Sequence, residues 1–242
     1  MGEWSREEVT PTDTLSLDEV FTMSVTESGT YLAGYGRNGH PTLWKNGTTT
    51  TLNKDVSGGA TGIAVSGTDV HISYSAFKDG TYRAWYNKNG QNILLDSIYY
   101  SSKAQAICVS GPDVYVGGSV FDSAAGNEVA VYWKNGNLVI LSPPHTGGSI
   151  LTGITVSGND VYASGLDYIS GLARAVYWKN GDKHLLNDGT NSVSTSGIAV
   201  SGNDVYVCGM ENYTPTYWKN SLPHRLASRL LPLITSLQES LL

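Results

Sequence analysis

Two short motifs recur five times in fixed order along the chain, and that recurrence limits the fold more than any other feature. Near copies of the first are 197–209 (GIAVSGNDVYVCG), 153–165 (GITVSGNDVYASG), 106–118 (AICVSGPDVYVGG) and 62–74 (GIAVSGTDVHISY), with a worn fifth at 23–34 (MSVTESGTYLAG). Reading Gly29, Gly67, Gly111, Gly158 and Gly202 as one repeat position gives steps of 38, 44, 47 and 44 residues. The second motif follows each copy: LWKNG at 43–47, YNKNG at 86–90, YWKNG at 132–136 and 177–181, and YWKN at 217–220. Five units of about 45 residues follow, the period of a propeller blade.

Each unit carries four short strand signals, here called A to D. Strand A is small and β-branched (Gly-Ile-Ala-Val) and ends in Ser-Gly-x-Asp; strand B is Val-Tyr-Val-like; strand C is Ala-Val-Tyr-Trp, ending in Lys-Asn-Gly. Strand D is His184–Leu186, with Asn92–Leu95 and Leu138–Leu141 as counterparts. Asn-Gly supplies the two positive-φ positions of a type I′ hairpin turn. In Ala175–Trp178 apolar residues point to both faces of the strand, so the sheet is covered on both sides. These signals predict an all-β fold, a five-bladed β-propeller of four-stranded antiparallel blades. The smallest residues (Gly153, Thr155, Gly197, Ala199) belong at the channel. Trp44, Trp85, Trp133, Trp178 and Trp218 belong between blades, with Trp44 or Trp218 exposed if the ring is open.

The propeller is expected over 14–226, with residues 1–13 an N-terminal extension and 227–242 a leucine-rich tail. Thr14–Leu17 aligns with strand D and is expected to close the ring as the outer strand of the last blade, with His224–Leu226 as its competitor. The tail reads either as a short amphipathic helix or as sequence foreign to the native protein.

Val-Ser-Gly-Asn-Asp-Val-Tyr-Val paired with Tyr-Trp-Lys-Asn-Gly resembles a family of bacterial β-propeller repeats, and is similar to the extracellular HAF-type repeats with a Leu-Trp-x-x-Gly core. The resemblance implies an exported or surface-attached protein and brings no catalytic residues. No basic-then-apolar signal stands at the start of this chain.

Charged residues are only 15% of the sequence and the net charge is −6. Scattered bases on an acidic chain argue against a nucleic-acid surface. No apolar run reaches the ~18 residues of a membrane span. No Cys/His cluster has metal-ligand spacing; Cys108 and Cys208 are expected to be small buried hydrophobes. Asp69, Asp113, Asp160 and Asp204 recur in register and read as residues capping their own hairpin turns. His40, His71, His145, His184 and His224 read as falling at different places in the repeat. No cofactor is implied.

Function is sought where the units differ. In a propeller the A–B and C–D turns share one face, and these are nearly uniform. The B–C loops and D–A connections share the other face and vary. Tyr35, Arg37, Phe77, Asp79, Phe121, Asp122, Asp167, Tyr168, Glu211 and Tyr213 are the candidate ligand-binding residues, chiefly because an aromatic stands beside a carboxylate in several loops. Ile98–Tyr100 and Pro143–His145 belong to the same face. The expectation is a non-enzymatic module that binds a glycan or a protein through that face. The alternatives are a propeller enzyme with its site at the channel mouth, and a structural fragment of a longer repeat array.

Overall fold

A computed structural model describes residues 17–143 and 147–226. They form twenty strands in five blades. Blade 1 is β1 (Leu17–Thr26), β2 (Gly29–Gly36), β3 (Pro41–Lys45) and β4 (Thr48–Thr51); blade 2 is β5 (Ser57–Ser66), β6 (Asp69–Lys78), β7 (Thr81–Lys88) and β8 (Gln91–Leu94). Blade 3 is β9 (Ser102–Ser110), β10 (Asp113–Asp122), β11 (Asn127–Lys134) and β12 (Asn137–Ile140). Blade 4 is β13 (Ser149–Ser157), β14 (Asp160–Ile169), β15 (Leu172–Lys179) and β16 (Asp182–Leu185); blade 5 is β17 (Val193–Ser201), β18 (Asp204–Glu211), β19 (Thr214–Lys219) and β20 (Leu222–Arg225). Each blade is a four-stranded antiparallel meander in sequence order. The fold is a five-bladed β-propeller.

The C–D turns have the expected type I′ geometry. Asn180 and Gly181 sit at φ 53° and 93°, and the other four turns match them, with Ser221 taking the glycine's place in blade 5. Cross-strand pairing shifts the register of the first unit: Thr26 faces Gly29 where Ser66 faces Asp69. Gly29 therefore matches the aspartate position, and Glu27 replaces the turn glycine. The residues in register are Tyr31, His71, Tyr115, Tyr162 and Tyr206.

Every innermost strand carries a one-residue bulge at the same place, at Phe21, Thr61, Gln105, Thr152 and Ser196. A bulge re-aims the side chain it carries. All five of these residues line the central channel, a cavity of about 290 Å³, together with Gly62, Ala106, Gly153 and Gly197. The threonines at this position also tie blades together: Thr61 Oγ1 donates to the Ala104 carbonyl at 2.8 Å, and Thr152 Oγ1 meets Thr195 Oγ1 at 2.8 Å.

Burial follows the seams between successive blades. Trp133 packs with Ala84 and Tyr86 of blade 2, Trp178 with Ala130 and Leu141 of blade 3, and Trp218 with Tyr162 and Tyr177 of blade 4. Each tryptophan thus faces the preceding blade, and all three are fully buried. Trp44 is half-buried, because among the described residues the first and fifth blades do not pack as the other pairs do. Trp85 departs from the pattern. Pairing puts Asn87, opposite Ile72, at the tryptophan position, and Trp85 two residues earlier, stacked on Tyr74.

The outer strand of blade 5 is β20, so the chain's C-terminal side supplies it. The expected closure by Thr14–Leu17 does not occur through Leu17, which begins the innermost strand of blade 1 opposite Gly36; residues 14–16 lie outside the described residues, as do the 1–13 extension, the tail 227–242, Pro144 and His145. Among the described residues no helix is long and apolar enough to cross a membrane.

Candidate functional site

The uniform end of the blades is a lattice of side-chain clamps. In blade 4, Asn180 Nδ2 donates to Asp160 Oδ1 at 2.7 Å, Asn180 Oδ1 accepts the Val161 N–H at 2.9 Å, and Lys179 Nζ lies 2.9 Å from Asp160 Oδ2. The same three contacts join Asp69 to Lys88 and Asn89, Asp113 to Lys134 and Asn135, and Asp204 to Lys219 and Asn220. In blades 3 to 5 the lysine also lies over the ring of Tyr115, Tyr162 or Tyr206. The aspartates therefore bind the neighbouring C–D turn rather than cap their own hairpins. Their lysine and asparagine partners hold all four carboxyls below the ordinary range. Hydrogen bonds from the clamp raise Lys134, Lys179 and Lys219. This end is occupied in holding hairpins together.

The variable end treats the ten candidate residues unequally. Asp167 and Glu211, at one repeat position in blades 4 and 5, are buried; Asp167 Oδ2 meets Lys183 Nζ at 2.5 Å and Glu211 Oε2 meets Arg225 Nη2 at 3.0 Å. Asp122 folds back on its own loop, its Oδ1 accepting the Ala124 and Ala125 N–H groups at 2.9 and 2.8 Å. These three carboxylates are engaged with the protein, so the aromatic–carboxylate pairing in those loops is architectural. Tyr35 is half-buried, and Arg37 is exposed on the blade 1 loop. Tyr168 borders a shallow depression of about 330 Å³ with Glu128 and Ser149. Asp79 is exposed in a turn at φ 50°, and Tyr213 projects alone at 80% exposure.

Phe77 and Phe121 fall into a cluster on blades 2 and 3 with Tyr100 of the variable Ile98–Tyr100 connection, and with Thr81 and Tyr82, which loop variation did not single out. Phe77 stands edge-on to Tyr82 across its hairpin at 5.5 Å, and Phe121 edge-on to Tyr100 at 5.9 Å. Thr81 Oγ1 donates to the Tyr100 carbonyl at 2.9 Å and so joins the two pairs. The connection bearing Tyr100 is held from below. Asp96 Oδ1 accepts the Ile98 N–H at 3.1 Å, and Arg83 Nη1 donates to the Tyr99 carbonyl at 2.6 Å. Ile98 and Tyr100 nevertheless stand 90% and 67% exposed. A signal for this site existed in Ile98–Tyr100. Its supports, Arg83 and Asp96, looked like ordinary strand and loop residues.

Two further expectations are corrected. Cys108 is half-buried, its thiol pushed up to about 12 by burial, but Cys208 is exposed. His184 and His224 hold the same place in strand D and stack alike, on Tyr177 at 4.5 Å and on Tyr217 at 4.7 Å. Among the described residues no group of three or more His, Cys, Asp or Glu is placed to hold a metal ion.

No protein-family model and no curated protein matches the chain. Among solved structures it is similar to TolB from Acinetobacter baumannii, at 12% identity and TM-score 0.50 over 88% of this chain and 55% of that one. Oligopeptidase B from Trypanosoma brucei gives 11% and 0.50 over 88% and 34%, and the computationally designed Ika8 protein 20% and 0.49 over 87% and 61%. The chain thus spans less than two thirds of each of these structures. The likeness to TolB and oligopeptidase B agrees with the propeller fold and bears on nothing else.

Proposed function

We propose that the protein is a non-enzymatic binding module whose ligand docks on the variable face of blades 2 and 3. One observation carries this reading: Ile98 and Tyr100 are presented to solvent by a connection that Asp96 and Arg83 hold in place. Exposed contiguous apolar surface marks interaction sites more than scattered single residues do. A pinned loop has little ordering entropy left to lose on binding. Phe77, Tyr82 and Phe121 extend the surface.

Its chemistry favours a protein over a glycan. Sugars need hydrogen-bonding groups beside the aromatic plane; Asp122, beside Phe121, is engaged with its own loop, which leaves the exposed Asp79, two residues from Phe77, as the carboxylate a sugar would use. An exposed isoleucine two residues from an exposed tyrosine suits an apolar side chain of a partner. With the family resemblance, the setting is the cell exterior or surface.

The test is a pull-down from cell-surface extract beside a glycan array, each repeated with Ile98→Asp, Tyr100→Ala and Tyr213→Ala. Retention should fall at least tenfold with the first two and be unchanged with the third. A bound partner insensitive to both patch variants would refute the site, and glycan capture lost with Tyr100→Ala would replace protein by glycan.

A further inference from the structure

We infer that the leucine-rich C-terminal segment 227–242 lies in the seam between blades 5 and 1 and covers both of its walls. The two walls are the halves of an interface the chain makes four times elsewhere. On blade 1, Met23 is 67% exposed, whereas its counterparts Ile63 and Ile154 are buried beneath the preceding blade, and Val25 is 66% exposed, whereas its counterparts Val65 and Val156 are half-buried. On blade 5, Cys208 and Met210 are exposed, whereas Ser164 and Leu166 at the same positions of blade 4 are buried. These are not scattered surface apolars. Each wall has the composition of a blade interface and no blade upon it among the described residues.

The geometry limits what fits. Phe21 of β1 and Ser196 of β17 both border the single channel, so the walls converge at their inner edge and leave a wedge. The segment 227–242 follows directly on β20 and Leu226, so it leaves from the blade that owns one wall. Its sixteen residues include seven Leu or Ile and two charged residues, Arg229 and Glu239. Even at the ~1.5 Å rise of a helix it reaches about 24 Å, close to the length of an eight-residue strand at ~3.3 Å each. An apolar segment and an apolar wedge tethered to each other each remove the other's exposed surface.

Cys208 reports on the seam, and half-buried Cys108, whose thiol burial raises, reports on the fold. Modification by a thiol reagent should be slow at both cysteines in the full chain at native pH. A chain ending at Leu226 should label at Cys208 at least tenfold faster, with Cys108 still protected. If that truncation unfolds, labelling both cysteines, full-length Leu230→Asp/Leu233→Asp/Leu237→Asp gives the same reading. Equal Cys208 rates in the full and altered chains would overturn the inference. So would protection that grows with protein concentration, which would mean that a second copy covers the seam, or protection lost only on deleting residues 1–16.

Discussion

Asn180 bridges two hairpins of its blade: its Nδ2 donates to Asp160 at 2.7 Å while its Oδ1 accepts the Val161 N–H at 2.9 Å. One side chain in the C–D turn therefore fixes the start of strand B, the neighbour of strand C. It also holds the positive φ that a type I′ turn requires. The Lys-Asn-Gly motif recurs because three demands meet at three adjacent positions: a cation for the aspartate, a bridging amide that tolerates φ > 0, and a residue for the second turn position.

Asn180→Ala should accordingly cost about 1–3 kcal/mol, two hydrogen bonds at roughly 0.5–1.5 kcal/mol each. Asn46→Ala should cost less. Gly29 replaces the aspartate there, and Asn46 Nδ2 instead donates to the Ser28 carbonyl at 3.3 Å, a weaker bond. Urea unfolding of the two variants measures the difference, and equal losses would mean that the bridge to aspartate adds nothing.

The clamps also set a pH window. Asp69, Asp113, Asp160 and Asp204 have depressed pKa values in the folded state. Their contribution is present above the unfolded carboxylate value near ~3.9 and is lost as pH falls through the folded values. Lys134, Lys179 and Lys219 are raised, so their contribution is complete below about 10.4 and is lost as pH climbs through the folded values. Apart from the buried His71, whose pKa burial lowers and which therefore withdraws stability as pH falls below about 6.5, thermal melts should be flat between these limits and fall at both ends. Because the groups are exposed, ~1 M salt should shrink both declines. A melting temperature that declined steadily from pH 8 to 5 would point to other groups.

The blade count, strand order and turn chemistry were legible because each rests on local patterns that repeat: Asn-Gly, alternating apolar residues, a fixed step. What was not legible depends on partners distant in sequence. Asp160 and Asn180 are twenty residues apart, and nothing in Ser-Gly-Asn-Asp shows that the carboxylate reaches the next hairpin but one. Glu27 displaced the turn glycine in blade 1, and only cross-strand pairing reveals the two-residue offset. The exposure of Cys208 follows from blade 5 having no blade upon that face among the described residues, a property of the ring rather than of the strand. At the variable face, aromatic residues beside carboxylates suggested ligand chemistry, yet Asp167 and Glu211 turn inward. A sequence shows that Asp167 and Tyr168 adjoin; strand alternation sends them to opposite faces.

The seams make unequal demands on their tryptophans. Trp178 is fully buried between blades 3 and 4, and replacing it by Ala should cost roughly 3–5 kcal/mol. Trp44 occupies the same position on the first blade and is only partly covered by the described residues, so in a chain ending at Leu226 Trp44→Ala should cost less than Trp178→Ala. Chemical unfolding with an unchanged slope would make the comparison direct. Comparable losses would mean that Trp44 is covered as fully as the others.

Asp167 offers the sharpest separation of architecture from binding. Its carboxylate is buried, with Lys183 reaching it from strand β16. Lys183→Met removes the cation and leaves a charge inside the blade. The loss should lie near the low end of the roughly 3–5 kcal/mol seen when one member of a buried pair is deleted, because the lysine keeps 35% side-chain exposure. Replacing both residues, Asp167→Leu with Lys183→Met, removes the charge together with its partner. The double variant should recover most of that loss, since an apolar pair of similar volume can match a buried ion pair. A double variant no more stable than Lys183→Met would show that the carboxylate's remaining contacts, rather than the pair, hold strand β14 to its neighbours. Partner retention through Ile98 and Tyr100 should be unchanged throughout, because blade 4 stands outside that patch.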